Sequence, residues 1–352
     1  MRIAYVLGGL AAAAFVLTGC GGGNAGADNA SGEPAAATSA VPAEKPPHIP
    51  CPSPSKQVRV TLDGHLSAEN VGILIADRKG FFRDAGLHVW VGTPASPELP
   101  VSYVAAGADD VGLTPQPQVV VTRETGEPIV AIASVVSEPT EAMIWLRGSG
   151  IGSVSDLKGK VVATAGVPFQ QGFLEQALAG AGLKADDVEI LSGGYEAIPK
   201  LLDGEVDAVF GGSANIEGAA LEARGVEPVV TPARELGIPP YEALVVIARS
   251  ECVAEYPAMY QRFMAAVERG TSAAKKDPRG TAQLIEESIE ADPEASREET
   301  EAQLEATLPL LSGDGHMDGA QASDLVAWMD DEGLIEREPP LEQWFTNDHL
   351  AP

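Results

Sequence analysis

Positive charge is what this chain has least of. Lys and Arg number 23 against 51 Asp and Glu, giving a net charge of −28. No basic run reverses this locally, so the surface repels polyanions, and nucleic acid and anionic lipid are excluded as partners. Five scattered histidines form no metal-ligand spacing. Neither a G-x-S-x-G elbow nor an H-E-x-x-H motif occurs, so two common hydrolase chemistries lack their residues. Gly148, Gly150 and Gly152 invite a dinucleotide reading, but Ser153 stands where the third glycine of G-x-G-x-x-G belongs. The apolar stretch from Val6 to Leu17 is too short to span a bilayer as a helix.

The N-terminal 20 residues read as a targeting segment. Arg2 supplies positive charge, Val6 to Leu17 is apolar, and Leu17-Thr18-Gly19-Cys20 resembles a bacterial lipobox with Cys20 as the lipidated residue. Residues 21–50 are rich in Gly, Ala, Ser and Pro, the composition of a disordered tether. The folded part is thus expected to be lipid-anchored at the cell membrane, on its extracytoplasmic side. With Cys20 assigned, Cys51 and Cys252 remain, and in an oxidising compartment they are a disulfide candidate, the alternative being two buried free thiols.

The remaining 300 or so residues suffice for two lobes. Residues 58–91 read as strand, loop, helix and strand: Val58, Val60 and Leu62 alternate, and Val71, Leu74, Ile75 and Arg78 share a helical stripe. The pattern then repeats strand–helix–strand, including the doubly buried run IVAIASVV at 129–136, which implies a parallel α/β sheet. Residues 114–118 read as a loop before a helix at 119–126, and residues 166–171 as a loop before a helix at 173–181. A second βα series runs from Lys160, and the strand at 243–248 returns to the first lobe. Expected boundaries are 51–142 for the first part of lobe 1, 143–242 for lobe 2, and 243–352 for the second, mainly helical part of lobe 1. Two crossovers make a hinge that can close on a ligand. Trp328 and Trp344 read as packing residues.

Several motifs stand in a familiar order. These are Glu138-Pro139, Leu146-Arg147-Gly148-Ser149-Gly150-Ile151 and Asp156-Leu157-Lys158-Gly159-Lys160. Leu62-Asp63, Gly72, Ala76, Lys79-Gly80-Phe81-Phe82 and Gly86-Leu87 precede them, and Thr346-Asn347 follows. Over residues 58–350 the chain resembles the thiamine-pyrimidine-precursor family. That family comprises substrate-binding proteins of bacterial ABC importers and a related eukaryotic pyrimidine-precursor synthase. The resemblance implies the two-lobed type II periplasmic-binding-protein fold with two hinge crossovers and a helical C-terminal portion. It also implies an ABC permease as partner, a monomeric carrier and no cofactor. The synthases use a lysine for pyridoxal phosphate and a histidine four residues later. Thr114 and Gln118 occupy those positions here, and threonine cannot form the Schiff base. The reading is therefore not an enzyme.

Strand-end loops supply the candidate ligand residues. They are Asp63, His65, Glu69 and Asn70; Thr114 and Gln116; Ser137, Glu138 and Thr140; Phe169 and Gln170; Asn215 and Glu217; and Tyr241 at the second crossover. The family's pyrimidine binders carry tryptophan and histidine where this chain has Gly64 and Asn70. These segments hold Glu69, Glu138, Glu141, Glu217 and Glu242, with His65 as their basic residue. Such a lining suits a neutral or amine-bearing heterocycle, a thiamine pyrimidine precursor or a riboflavin-like ligand, better than an anion. The alternatives are an alkanesulfonate, taurine or other organic-anion carrier, an extracytoplasmic ligand sensor, and a synthase-like enzyme.

Overall fold

The computed structural model describes residues 50–51, 57–288 and 297–350. The expected leader, Cys20 and most of the expected tether lie outside the described residues. Among the described residues, no helix is long and apolar enough to cross a membrane.

Among the described residues ten strands follow in chain order: β1 (Gln57–Thr61), β2 (His88–Gly92), β3 (Val111–Thr114), β4 (Ile129–Val136), β5 (Glu141–Leu146), β6 (Val161–Thr164), β7 (Glu189–Ser192), β8 (Ala208–Ser213), β9 (Pro228–Pro232) and β10 (Leu244–Arg249). They form two five-stranded sheets, in the orders β2-β1-β3-β10-β4 and β7-β6-β8-β5-β9. In each sheet four strands run in one direction, and the fourth position is taken by an antiparallel strand that arrives from the other sheet, so the sheets are mixed where the sequence pattern implies a parallel one. β5 enters the second sheet directly after β4, and β10 returns to the first after β9. This is the two-lobed α/β fold with two crossovers that pattern and resemblance imply.

Burial explains the composition of the strands. All eight residues of β4 and all six of β10 are buried, although β4 is last in its sheet. Bridges from Ala131 to Phe345 and from Val136 to Leu311 lay C-terminal chain along that edge. The helix Val71–Arg78 packs on the 20-residue helix Pro257–Lys276 through the latter's stripe Tyr260, Phe263, Met264 and Val267. Gly72 and Gly270 meet at that crossing, where a methyl on Gly270 would strike the Gly72 carbonyl.

A disulfide joins Cys51 to Cys252 across 201 residues, with the Cα atoms 5.3 Å apart. Beside it the Arg249 guanidinium donates to the Pro50 carbonyl. Together they fix the start of the folded chain against the helix Ser250–Glu255. The helix Gly319–Asp331 is capped by the Asp318 carboxylate and sets Trp328 edge-on against Phe173 of the second lobe, centroids 5.1 Å apart. Trp344 is fully buried.

Two expected loops are helical. The helices Gln116–Glu124 and Pro168–Gly180 begin earlier than the sequence pattern suggests, each with proline in its first turn. Proline there costs no helical hydrogen bond, because the first N–H groups have no intrahelical partner.

Candidate functional site

A cavity of about 850 Å³ lies between the two sheets, at the ends of their strands. From the first lobe it is lined by Asp63, Gly64, His65, Leu66 and Glu69, in the turn that leaves β1 and opens the helix Val71–Arg78. From the crossovers come Thr140, Glu141, Ala243 and Leu244. The second lobe adds Val167, Gln170, Tyr195, Gly211, Ser213, Ile216 and Glu217. A fourth wall comes from the C-terminal portion, where Glu299, Thr300 and Gln303 face in from the helix Arg297–Thr307.

Six of the candidate residues therefore share one cavity: Asp63, His65, Glu69, Thr140, Gln170 and Glu217. The other eight lie elsewhere. Asn70 is fully buried under the turn, where its Nδ2 donates to the His65 carbonyl and to Asp63. Thr114 is held within β3 opposite Val245, and Gln116 is buried in the first helical turn, accepting from the Glu242 amide through Oε1. Of that segment Pro115 lines the cavity, while Gln116 is taken into the helix. Ser137 donates to the Leu310 carbonyl, and Glu138 is exposed. Phe169 packs edge-on against Phe173, centroids 5.0 Å apart. Asn215 and Tyr241 are buried behind the lining, where each supports a carboxylate that faces the cavity.

Those carboxylates are held by neutral donors. Glu141, the first residue of β5, accepts from Tyr241 Oη at 2.5 Å and from Gln170 Nε2 at 2.7 Å. Gly211 makes room for Gln170: its φ of +90° favours glycine, and a Cβ there would strike the Gln170 amide. Glu69 accepts from Asn215 Nδ2 at 3.1 Å, and the same nitrogen donates to Thr307 Oγ1 at 2.7 Å. Glu217 accepts from the Ser213 amide at 2.6 Å. Burial raises all of these groups, because a charge in this cleft loses its hydration. Glu69 is pushed up to about 8, by burial first and then by the charge of Asp63. Asp63 reaches about 6, and Glu141 and Glu217 also rise, burial again being the largest cause.

Contacts across the cleft join the lobes. The His65 and Tyr195 rings lie 4.3 Å apart by centroid, and Tyr195 Oη donates to the Pro94 carbonyl. The Tyr195 ring also lies over Gly64, 3.6 Å from where a Cβ at 64 would stand. Arg224 pairs with Glu299 at 2.7 Å, tying the second lobe to the helix Arg297–Thr307.

Sequence reasoning did not select Glu141, Tyr195 or the wall from the helix Arg297–Thr307. Glu141 was visible as a charge at a strand start. The other two carry no local signal, because only tertiary packing brings them to the cleft.

The family model described as NMT1/THI5 like matches residues 67–281, more than half of the chain. A thiamine biosynthesis protein of Haemophilus influenzae is 29% identical over 82% of this chain and 91% of its own length. A formylaminopyrimidine-binding protein of Halalkalibacterium halodurans is 26% identical over 82% and 89%. A 4-amino-5-hydroxymethyl-2-methylpyrimidine phosphate synthase of Uromyces fabae is 27% identical over 64% of this chain and 69% of its own. Among solved structures, the alkanesulfonate-binding protein of Xanthomonas axonopodis superposes with a TM-score of 0.65 at 16% identity, covering 85% of this chain and all of that one. A Candida albicans protein described as having the generic periplasmic binding protein fold gives 0.62 at 12% identity, covering 84% and 98%. At these identities the structural likeness establishes the fold alone.

Proposed function

The chain belongs to the NMT1/THI5-like family, and from that premise we propose that it is the solute-binding component of an ABC importer, capturing an amine-bearing heterocycle by closure of its lobes. The observation that carries this reading is the cleft. It is a cavity of about 850 Å³ lined by Asp63, Glu69, Glu141 and Glu217, with Arg224 engaged by Glu299. Carboxylates and amide oxygens accept hydrogen bonds from amino and ring N–H groups. The formylaminopyrimidine-binding relative supports a thiamine pyrimidine precursor as the ligand, with a riboflavin-like heterocycle as the larger choice. An organic anion shares the fold but not the lining, since a sulfonate asks for several cationic or N–H donors.

The mechanism is capture and delivery. Two crossovers connect the lobes, and the ties His65–Tyr195 and Asn215–Glu69 join them across the cleft. A ligand that touches both lobes stabilises the closed form by its differential affinity for it. A membrane permease then receives the ligand from a monomeric carrier anchored through Cys20 on the extracytoplasmic side. No catalysis is included. Thr114 lies buried in β3, and Gln118 donates to Thr122 within its own helix, so neither offers a cofactor the groups that the synthases use.

Native mass spectrometry of the protein from its source, followed by thermal unfolding with formylaminopyrimidine, riboflavin, taurine and ethanesulfonate, tests the reading. An aminopyrimidine or flavin carried by the protein, and a melting temperature raised by several degrees with it, is the expected result. Ligand at 100 times its dissociation constant adds about 2.7 kcal/mol. Shifts with sulfonates alone would overturn it.

A further inference from the structure

We infer that the ligand is captured as a cation, its positive charge answered by Glu69, Asp63 and Glu217 where the two lobes meet. The inference rests on the proposed carrier function and adds the charge of what is carried. Three observations support it. Among the described residues, no Lys or Arg forms an ion pair with Asp63, Glu69, Glu141 or Glu217, whereas Glu299 in the same cavity has Arg224. The three carboxylates come from both sides of the hinge, so a cation between them bonds to both lobes at once. Finally, Asn215 is 4% exposed and uses Nδ2 on Glu69 and Thr307, while its Oδ1 has no partner among the described residues. Asn215 thus holds Glu69 from behind the lining, and the Asp63, Glu69 and Glu217 carboxylates face the cavity with oxygen atoms, the surroundings of an ammonium or amidinium group.

The arrangement is expensive without a counter-charge. Buried carboxylates that face each other keep protons instead of ionising together. In the ligand-free cleft Glu69, pushed up to about 8, holds a proton at neutral pH. The groups that face it are Asp63 and His65 from its own turn, Glu217 from the second lobe, and Glu141 and Tyr241 from the crossovers. The Arg224–Glu299 pair closes the far side. Entry of a cation favours the ionised carboxylates, so binding releases a proton. Affinity for a cation therefore rises between pH 6 and pH 8.

A matched pair of probes tests this by titration calorimetry on the purified protein. One is 4-amino-2-methylpyrimidine with an aminomethyl arm at carbon 5, charged at neutral pH. The other carries a hydroxymethyl arm and is neutral. At pH 7 the charged probe is expected to bind at least tenfold more tightly and to release protons, read from the heat difference between phosphate and Tris buffers. Glu69→Gln and Glu217→Gln should each shrink that ratio severalfold, with the unliganded melting temperature reporting whether each variant is folded. Equal affinities, or a ratio untouched in both folded variants, would overturn the charge inference while leaving the carrier reading in place. Binding of ethanesulfonate with neither probe bound would overturn both.

Discussion

The two crossovers carry the same residue type and use it in opposite ways. Glu141 begins β5 and turns into the cavity, held by Tyr241 and Gln170 of the second lobe side. Glu242 lies two residues before β10 and turns away from the cavity into the first lobe. It accepts from Ser134 Oγ at 2.6 Å, and its amide donates to Gln116 Oε1 at 3.0 Å. Tyr241 and Glu242 are neighbours in the chain, yet one serves the ligand cleft and the other ties strand β4 to the helix Gln116–Glu124. Burial and neutral donors are common to both glutamates. What separates them is access to the cavity, so a buried acid with a raised pKa is a site residue only where geometry lets a ligand reach it.

That contrast can be broken first at Glu242. Glu242→Ala leaves the buried Ser134 hydroxyl without its acceptor and should lower unfolding stability by about 2–3 kcal/mol in urea, with ligand affinity in the folded protein changed less than about twofold. A large affinity loss without destabilisation would reverse the roles assigned to the two glutamates. Glu141→Gln should do the opposite. Its amide oxygen can still accept from Tyr241, so stability should change by less than about 1 kcal/mol, while binding of an amine-bearing ligand weakens by about 1–2 kcal/mol, roughly 5- to 30-fold.

Tyr241→Phe sharpens the comparison further. The ring packs edge-on against Phe173 and would stay, while the hydroxyl bond to Glu141 goes, so a loss of about 1 kcal/mol is expected in chemical unfolding.

The comparison also has a pH dependence. Glu242 is raised to about 7, with burial the largest cause, against an ordinary value near 4.5. The folded state therefore holds its proton more tightly than the unfolded chain. Its contribution to stability is full below pH 4.5 and is lost as pH rises through 7. Asp63 and Glu69 act with the same sign up to about 6 and 8. Urea midpoints should thus fall from pH 5 to pH 8, and fall less in Glu242→Gln.

Much of this was legible from the residues. Alternation in β1, the unbroken apolar run of β4 and repeated strand–helix units led to the sheets, because burial imposes those patterns locally. Strand-end loops led to Asp63, His65, Glu69 and Glu217. Proline misled at Pro115 and Pro117, where it opens a helix instead of sustaining a loop. Glu141 counted toward the acidic lining but was not singled out as a ligand residue, because its place at the start of a strand carries no pattern of its own. Tyr195 reaches His65 across 130 residues of sequence, and no periodicity encodes that meeting.

The central claim is that the cleft, and not another surface, binds an amine-bearing heterocycle. A crystal structure with the heterocycle that stabilises the protein most tests it directly. The account predicts a ring between the turn at 63–69 and the segment at 211–217, with a nitrogen within hydrogen-bond distance of Glu69 or Glu141. A ligand bound outside that cavity, or held by an anionic group on Arg224, would contradict it.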